Sequence, residues 1–264
     1  MKNSMMKFVF TLVILTLGSM GVSAQKGTTT SSANAVTAGL NLYAAAELFK
    51  DSENLEKFEQ TINDAETGIN NLDLDEDDAI DFIRVTETVA DQTHLIILQT
   101  ALGENDFQDV ATIAVEQEEN GGGYNLQLQG DPSIYGDDYY VVPADNNFSG
   151  WKVLSWLYRP NYRPYVSPFG FKNRPRWWRA GRRPLAANVY STRGGLFAGK
   201  NFTATRTVRV KTIAKVNYRP RTSALVKKTR VTRVNTTNPR NGNQTTTTVK
   251  QTNQREVKPR RRKN

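Results

Sequence analysis

Apolar residues first recur along the chain at helical spacing. Leu40, Tyr43, Ala44 and Leu48 share one face of a helix beginning near Ala35, with alanines filling the gaps. Asp51-Ser52 breaks that pattern and offers a new cap, and Leu55, Phe58 and Ile62 then form a second stripe that Gly68 ends. Beyond Gly68 the period shortens toward two. Residues 80–87 are rich in β-branched and aromatic side chains, and residues 94–102 are apolar on both faces, as a central strand would be. Residues 110–116 and 124–129 follow at hairpin spacing, and in the last of these Tyr124, Leu126 and Leu128 alternate with Asn125, Gln127 and Gln129. The pattern predicts an α+β domain over residues 35–145, with two short helices packed on a four-stranded antiparallel meander.

After Asn146 the pattern changes. All four tryptophans (Trp151, Trp156, Trp177 and Trp178) lie there, interleaved with tyrosines, phenylalanines and the steps Arg159-Pro160, Arg163-Pro164 and Arg183-Pro184. Repeated proline predicts an extended, turn-rich segment over residues 146–187. From residue 201 to the end there are 18 Lys or Arg and 14 Thr with few large apolar residues, so the expectation for residues 188–264 is a largely disordered basic tail. Residues 207–216 and 225–234 are its strand-prone exceptions.

Charge sharpens this division. Residues 25–149 carry 25 acidic and 4 basic side chains, whereas residues 150–264 carry 29 basic side chains and one acidic, Glu256. The overall charge of +9 is thus the difference between two strongly opposed halves. The first residues read as an export signal, residues 1–24. Lys2 and Lys7 precede an apolar run too short to span a membrane, and Val22-Ser23-Ala24 supplies a cleavage site. A Thr/Ser-rich flexible leader, residues 25–34, follows. With no cysteine there is no disulfide, thiolate metal site or lipid attachment.

Between helices and strands, Asp73, Asp75 and Asp77 alternate and Asp81 follows. Carboxylates spaced this way on a tight loop converge on one hard cation, and calcium is the candidate. An EF-hand would place Gly at the sixth position, where Asp78 stands, and Glu at the twelfth, where Arg84 stands, so the reading is of a non-EF loop entering a sheet. The alternative is a solvated acidic turn. His94, the only histidine, reads as a sheet residue, since no serine sits in a nucleophile elbow and no cysteine exists. Gly121-Gly122-Gly123 lacks the Lys and helix of a phosphate loop. A carboxylate-dependent hydrolase is left without a signature, and the expectation is a protein that is not an enzyme.

The basic aromatic stretch has several readings. Arg174, Arg176, Arg179, Arg182 and Arg183, with Arg260, Arg261, Arg262 and Lys263 at the terminus, can bind nucleic acid, an anionic membrane surface or an acidic polysaccharide. Alternatively, the Trp-rich part docks on the acidic domain of its own chain.

The runs Gly68-Ile69-Asn70-Asn71-Leu72-Asp73-Leu74-Asp75, Ile80-Asp81-Phe82-Ile83-Arg84-Val85, Phe107-Gln108-Asp109-Val110-Ala111-Thr112-Ile113, Ile134-Tyr135-Gly136 and Tyr158-Arg159-Pro160 carry a resemblance. In that order they resemble a family of uncharacterised exported bacterial proteins with an acidic N-terminal domain and an aromatic, Arg/Pro-rich C-terminal segment. The resemblance spans residues 40–185 and implies a Gram-negative cell envelope location, with no activity or catalytic residue to carry over; the expected location is exported, in the periplasm, associated with the outer membrane or secreted. Similar proteins read Asn-Asp-Gly where this chain has Glu76-Asp77-Asp78, a departure that falls in the metal loop. The expected function is a non-enzymatic envelope protein whose basic arm binds anionic surface polymers or membrane, with an acidic domain that calcium stiffens. The alternative is an extracytoplasmic nucleic-acid-binding protein.

Overall fold

The computed structural model describes residues 39–197, 200–226, 229–237 and 244–252. The expected signal peptide, the leader and the terminal cations Arg260, Arg261, Arg262 and Lys263 lie outside the described residues. Asn41 caps helix α1 (Leu42–Asp51) by accepting from the Tyr43 and Ala44 amides. The Ser52 hydroxyl donates to the Leu48 carbonyl at the other end, and Asn54 then caps α2 (Leu55–Ile62) through the Lys57 amide. The Phe49 and Phe58 rings meet edge to face at 5.5 Å and fix the angle between these two helices.

The sheet has six strands rather than four. β1 (Ile83–Ala90), β2 (Thr93–Ala101), β3 (Phe107–Gln117) and β4 (Tyr124–Gly130) form the expected meander. A single helical turn α3 (Pro132–Tyr135) leads into β5 (Tyr140–Pro143), and β6 (Phe202–Thr205) pairs antiparallel with β5 at the far edge. The two missing strands are four residues each, too short for an alternation of apolar and polar residues to register. Helix α4 (Lys152–Leu157) interrupts the segment expected to be extended, and helix α5 (Ala187–Gly195) forms where the tail expected to be disordered begins. Both avoid proline.

Every residue of β2 is buried because both faces of the sheet are covered. On one face Ile83, Val85, Ile96, Leu98, Ile113 and Leu126 pack with α1, α2 and α4. On the other, Leu95, Ile97 and Ala114 meet Val210 and Val216. Here the expectation of disorder fails for residues 200–226. Buried polar side chains of the sheet seize that segment's backbone, and composition alone does not show it. Gln127 Oε1 accepts from the Arg209 and Val210 amides at 2.7 and 3.0 Å. Asp109 Oδ2 accepts from the Tyr218 hydroxyl at 2.7 Å and the Arg221 amide at 2.8 Å, and Gln108 Oε1 accepts from the Ser223 amide at 3.0 Å. Of the strand-prone stretches, residues 211–215 instead form a 3-10 turn. The second overlaps β7 (Thr229–Thr237), which pairs with β8 (Gln244–Thr252) as a separate hairpin.

Candidate functional site

The acidic loop is built where α2 gives way to β1. Left-handed backbone at Glu76 (φ 60°) and Asp78 (φ 65°) tightens it, and acidic residues accept that conformation more readily than bulky ones. Carboxylate oxygens of Asp73, Asp75 and Asp77 lie within 4.8 Å of one another. Asp81 sits behind them and accepts from the Leu74 amide at 2.7 Å. Asp75 Oδ1 is buried with no hydrogen-bond partner. Burial, then the charges of Asp75, Asp73 and Asp77, pushes the Asp81 carboxyl up to about 7 against the opposing Leu74 amide. Burial raises Asp73 and Asp75 as well. A hard dication is the chemical complement of such a loop, with Asp73, Asp75 and Asp77 as the residues that would hold it.

Around the base of this loop the aromatic segment closes. Phe82 is touched by Phe169, Trp177 and Trp178 at ring separations of 6.0, 5.9 and 5.2 Å, and the Arg174 guanidinium lies over its face at 5.4 Å. Main chain fixes the register. The Ile80 amide donates to the Arg182 carbonyl at 2.7 Å, the Ser167 amide to the Val85 carbonyl at 2.9 Å, and the Leu185 amide to Asn71 Oδ1 at 2.6 Å. The Tyr190 hydroxyl reaches the Ile69 carbonyl.

This arrangement separates the cations predicted to meet a polyanion. Arg174 and Arg182 are partly buried, donate to the Gly170 and Asn63 carbonyls and have burial-lowered affinity for their protons. Arg176, Arg179 and Arg183 are exposed. Among the described residues the ion pairs involve Lys50, Lys152 and His94 with Glu47, Asp51, Glu53 and Glu87, and no arginine takes part. Aromatic rings hold several guanidiniums instead: Trp178 faces Arg182 at 4.6 Å, Trp156 faces Arg159 at 4.8 Å, and Phe107 faces both Arg84 and Arg221.

His94 belongs to a buried polar cluster that periodicity did not reveal. Its Nδ1 lies 2.6 Å from Glu87 Oε1, while Glu87 Oε2 accepts from the Tyr162 hydroxyl and, at 2.9 Å, from the Tyr165 amide. Tyr158 and Tyr162 close over the imidazole at ring separations of 4.6 and 5.1 Å. Both Glu87 oxygens are engaged, and both Glu87 and His94 are buried. The cluster anchors the aromatic segment to β1 and β2. Its sequence signal was a glutamate on the strand face that Ile83, Val85 and Val89 otherwise make apolar. A second buried carboxyl, Glu59, accepts from the Val85 amide at 2.6 Å and is pushed up to about 7, chiefly by burial.

No family model, curated protein or solved structure matches the chain. Among the described residues no helix is long and apolar enough to cross a membrane.

The raised carboxyls set a pH dependence. A group that holds its proton more tightly when folded contributes stability while protonated, and that contribution is lost as pH rises from the ordinary carboxylate range to the folded value, about 7 for Asp81 and Glu59. In chelator-containing buffer the melting temperature should therefore gain less, or fall, between pH of about 4 and about 7, with each group accounting for on the order of 2–4 kcal/mol. Asp81→Asn and Glu59→Gln should each flatten the profile. Profiles parallel to wild type would contradict the assignment.

Proposed function

We propose that this protein is a non-enzymatic, exported envelope protein that binds anionic surface polymers through the cationic surface of its C-terminal half. The observation that carries the reading is the combination of a strongly basic half-chain with arginines that make no direct ion pair with a carboxylate among the described residues. Folding places many basic side chains against a highly acidic domain, yet Arg84, Arg159, Arg174, Arg182 and Arg221 rest on aromatic rings and Arg176, Arg179 and Arg183 are exposed. Their charge stays available to an external partner. The arm of this reading is therefore a docked surface formed by the described residues of 146–226. Export rests on the N-terminal pattern of residues 1–24.

Polyuronate binding to the full chain, followed over a salt series, tests the proposal. Affinity should fall steeply between about 50 and 300 mM salt, and replacing Arg176, Arg179 and Arg183 together by Gln should reduce it by about tenfold while leaving the melting temperature in place. Absence of binding at low salt, or binding indifferent to salt, would overturn the reading. The nucleic-acid alternative draws on Phe171 and Trp177, which are 41% and 39% exposed beside these arginines and offer rings for base stacking. A single-stranded oligonucleotide of matched charge that outcompetes the polyuronate would favour it.

A calcium role for the acidic loop draws on the partnerless Asp75 Oδ1 among convergent carboxylates. Calcium held there would offset the repulsion that raises Asp81, stiffening the junction of α2 and β1. Calorimetric titration of the full chain should give one binding event and a higher melting temperature, both lost in Asp75→Asn. No heat and no thermal shift would make the loop a solvated acidic turn.

A further inference from the structure

Opposite the helices, the docked C-terminal segment does not cover the whole sheet. Between β1 and residues 217–221 it leaves a groove of about 500 Å³. Arg84, Arg219 and Arg221 border it together with Thr86, Thr88 and Asn217. Two of these guanidiniums share one ring: Arg84 lies 5.3 Å and Arg221 5.2 Å from the centre of Phe107. Burial lowers the affinity of Arg84 for its proton; the charge of Glu59 opposes this, and the smaller effect of the Arg221 charge adds to it. The one carboxylate lining the groove, Asp109, offsets only one of its three guanidinium charges. Its oxygens are taken by Gln99 Nε2, the Tyr218 hydroxyl and the Arg221 amide. The groove therefore holds neighbouring positive charges, with the acid at its floor already committed to the fold.

We infer that this groove is a subsite for an acidic polysaccharide, in which Arg84 and Arg221 take the carboxylate or sulfate of one sugar while Thr86, Thr88 and Asn217 bond its hydroxyls. The inference rests on the anion-binding function proposed above and names where one charged unit sits. An oxyanion between two guanidiniums accepts paired N–H bonds and cancels their repulsion. The hydroxyl and amide groups beside it suit a sugar. A nucleobase fits less well, because Phe107 is already faced by two guanidiniums and the Tyr218 hydroxyl is fixed to Asp109, so neither ring offers an open stacking platform.

Arg221 is the position to vary, since its backbone, not its guanidinium, makes the hydrogen bonds that dock the segment: its amide to Asp109 Oδ2 and its carbonyl from the Asp109 amide. The full chain, Arg221→Gln and, as a second replacement at an exposed position, Arg219→Gln are titrated with an oligogalacturonate, a heparin oligosaccharide and an oligothymidylate. Lys57→Gln, an exposed cation on α2 remote in sequence from the groove, controls for loss of one charge. Arg221→Gln should weaken both glycans by about tenfold at an unchanged melting temperature, and Arg219→Gln and Lys57→Gln by progressively less. A preference for oligogalacturonate identifies the carboxylate as the recognised group, and a preference for heparin identifies the sulfate. Wild-type affinity in Arg221→Gln, with the Arg176/Arg179/Arg183 variant still impaired, overturns the subsite and leaves the broader function standing. Failure of the wild-type chain to bind either glycan overturns both. Oligothymidylate bound as tightly as the glycans and weakened equally by Arg221→Gln overturns the choice of a sugar.

Discussion

The second half of the chain is held to the first by main-chain hydrogen bonds and ring contacts, and the position of every candidate site follows from that grip. The Ile80 amide on the Arg182 carbonyl, the Ser167 amide on the Val85 carbonyl and the packing around Phe82 fasten residues 166–185 beside the acidic loop and the edge of β1. Glu87 adds a buried anchor that ties Tyr162 and Tyr165 to His94. Removing an acceptor of this kind would strand several buried donors, a larger loss than an exposed ion pair could replace.

This mode of attachment has an electrostatic consequence. If oppositely charged halves docked through salt bridges, each contact would consume one charge of either sign. Attachment through carbonyls, amides and aromatic faces preserves both fields, leaving a repulsive carboxylate loop on one side and a guanidinium-bordered groove on another. The loop is the complement of a small hard cation and the groove that of a larger oxyanion. Both readings follow from the same economy of ion pairs in the described residues.

Much of the N-terminal half was legible in the chain. Leu55, Phe58 and Ile62 form the α2 stripe as expected, and the apolar run of β2 marked a strand covered on both faces, whereas the caps differ from the expectation: α1 begins at Leu42 behind Asn41 instead of near Ala35, and Asn54 instead of Asp51-Ser52 caps α2. Of the four aspartates read as one cluster, Asp73, Asp75 and Asp77 bring carboxylate oxygens within 4.8 Å of one another, whereas Asp81 stands outside that group and accepts from the Leu74 amide. What could not be read there depends on partners distant in sequence. β5 and β6 are four residues each and borrow their order from neighbours, and residues 206–223 are ordered by Gln127, Asp109 and Gln108 from the other half of the chain. A composition argument counts the apolar surface a segment brings and overlooks backbone groups that another segment has acceptors to receive. Arg84 and Arg221 become neighbours only across Phe107.

Amide hydrogen exchange of the full chain addresses the docking directly. The amides of Ile80, Asp109, Val210, Arg221 and Ser223 have acceptors only if residues 167–223 lie on the acidic domain. The account predicts that they exchange slowly, on the scale of the β2 and β3 amides, and remain protected at high salt because ion pairs do not hold the halves together. Free-chain exchange across residues 201–223, or protection that vanishes as salt is raised, would contradict it.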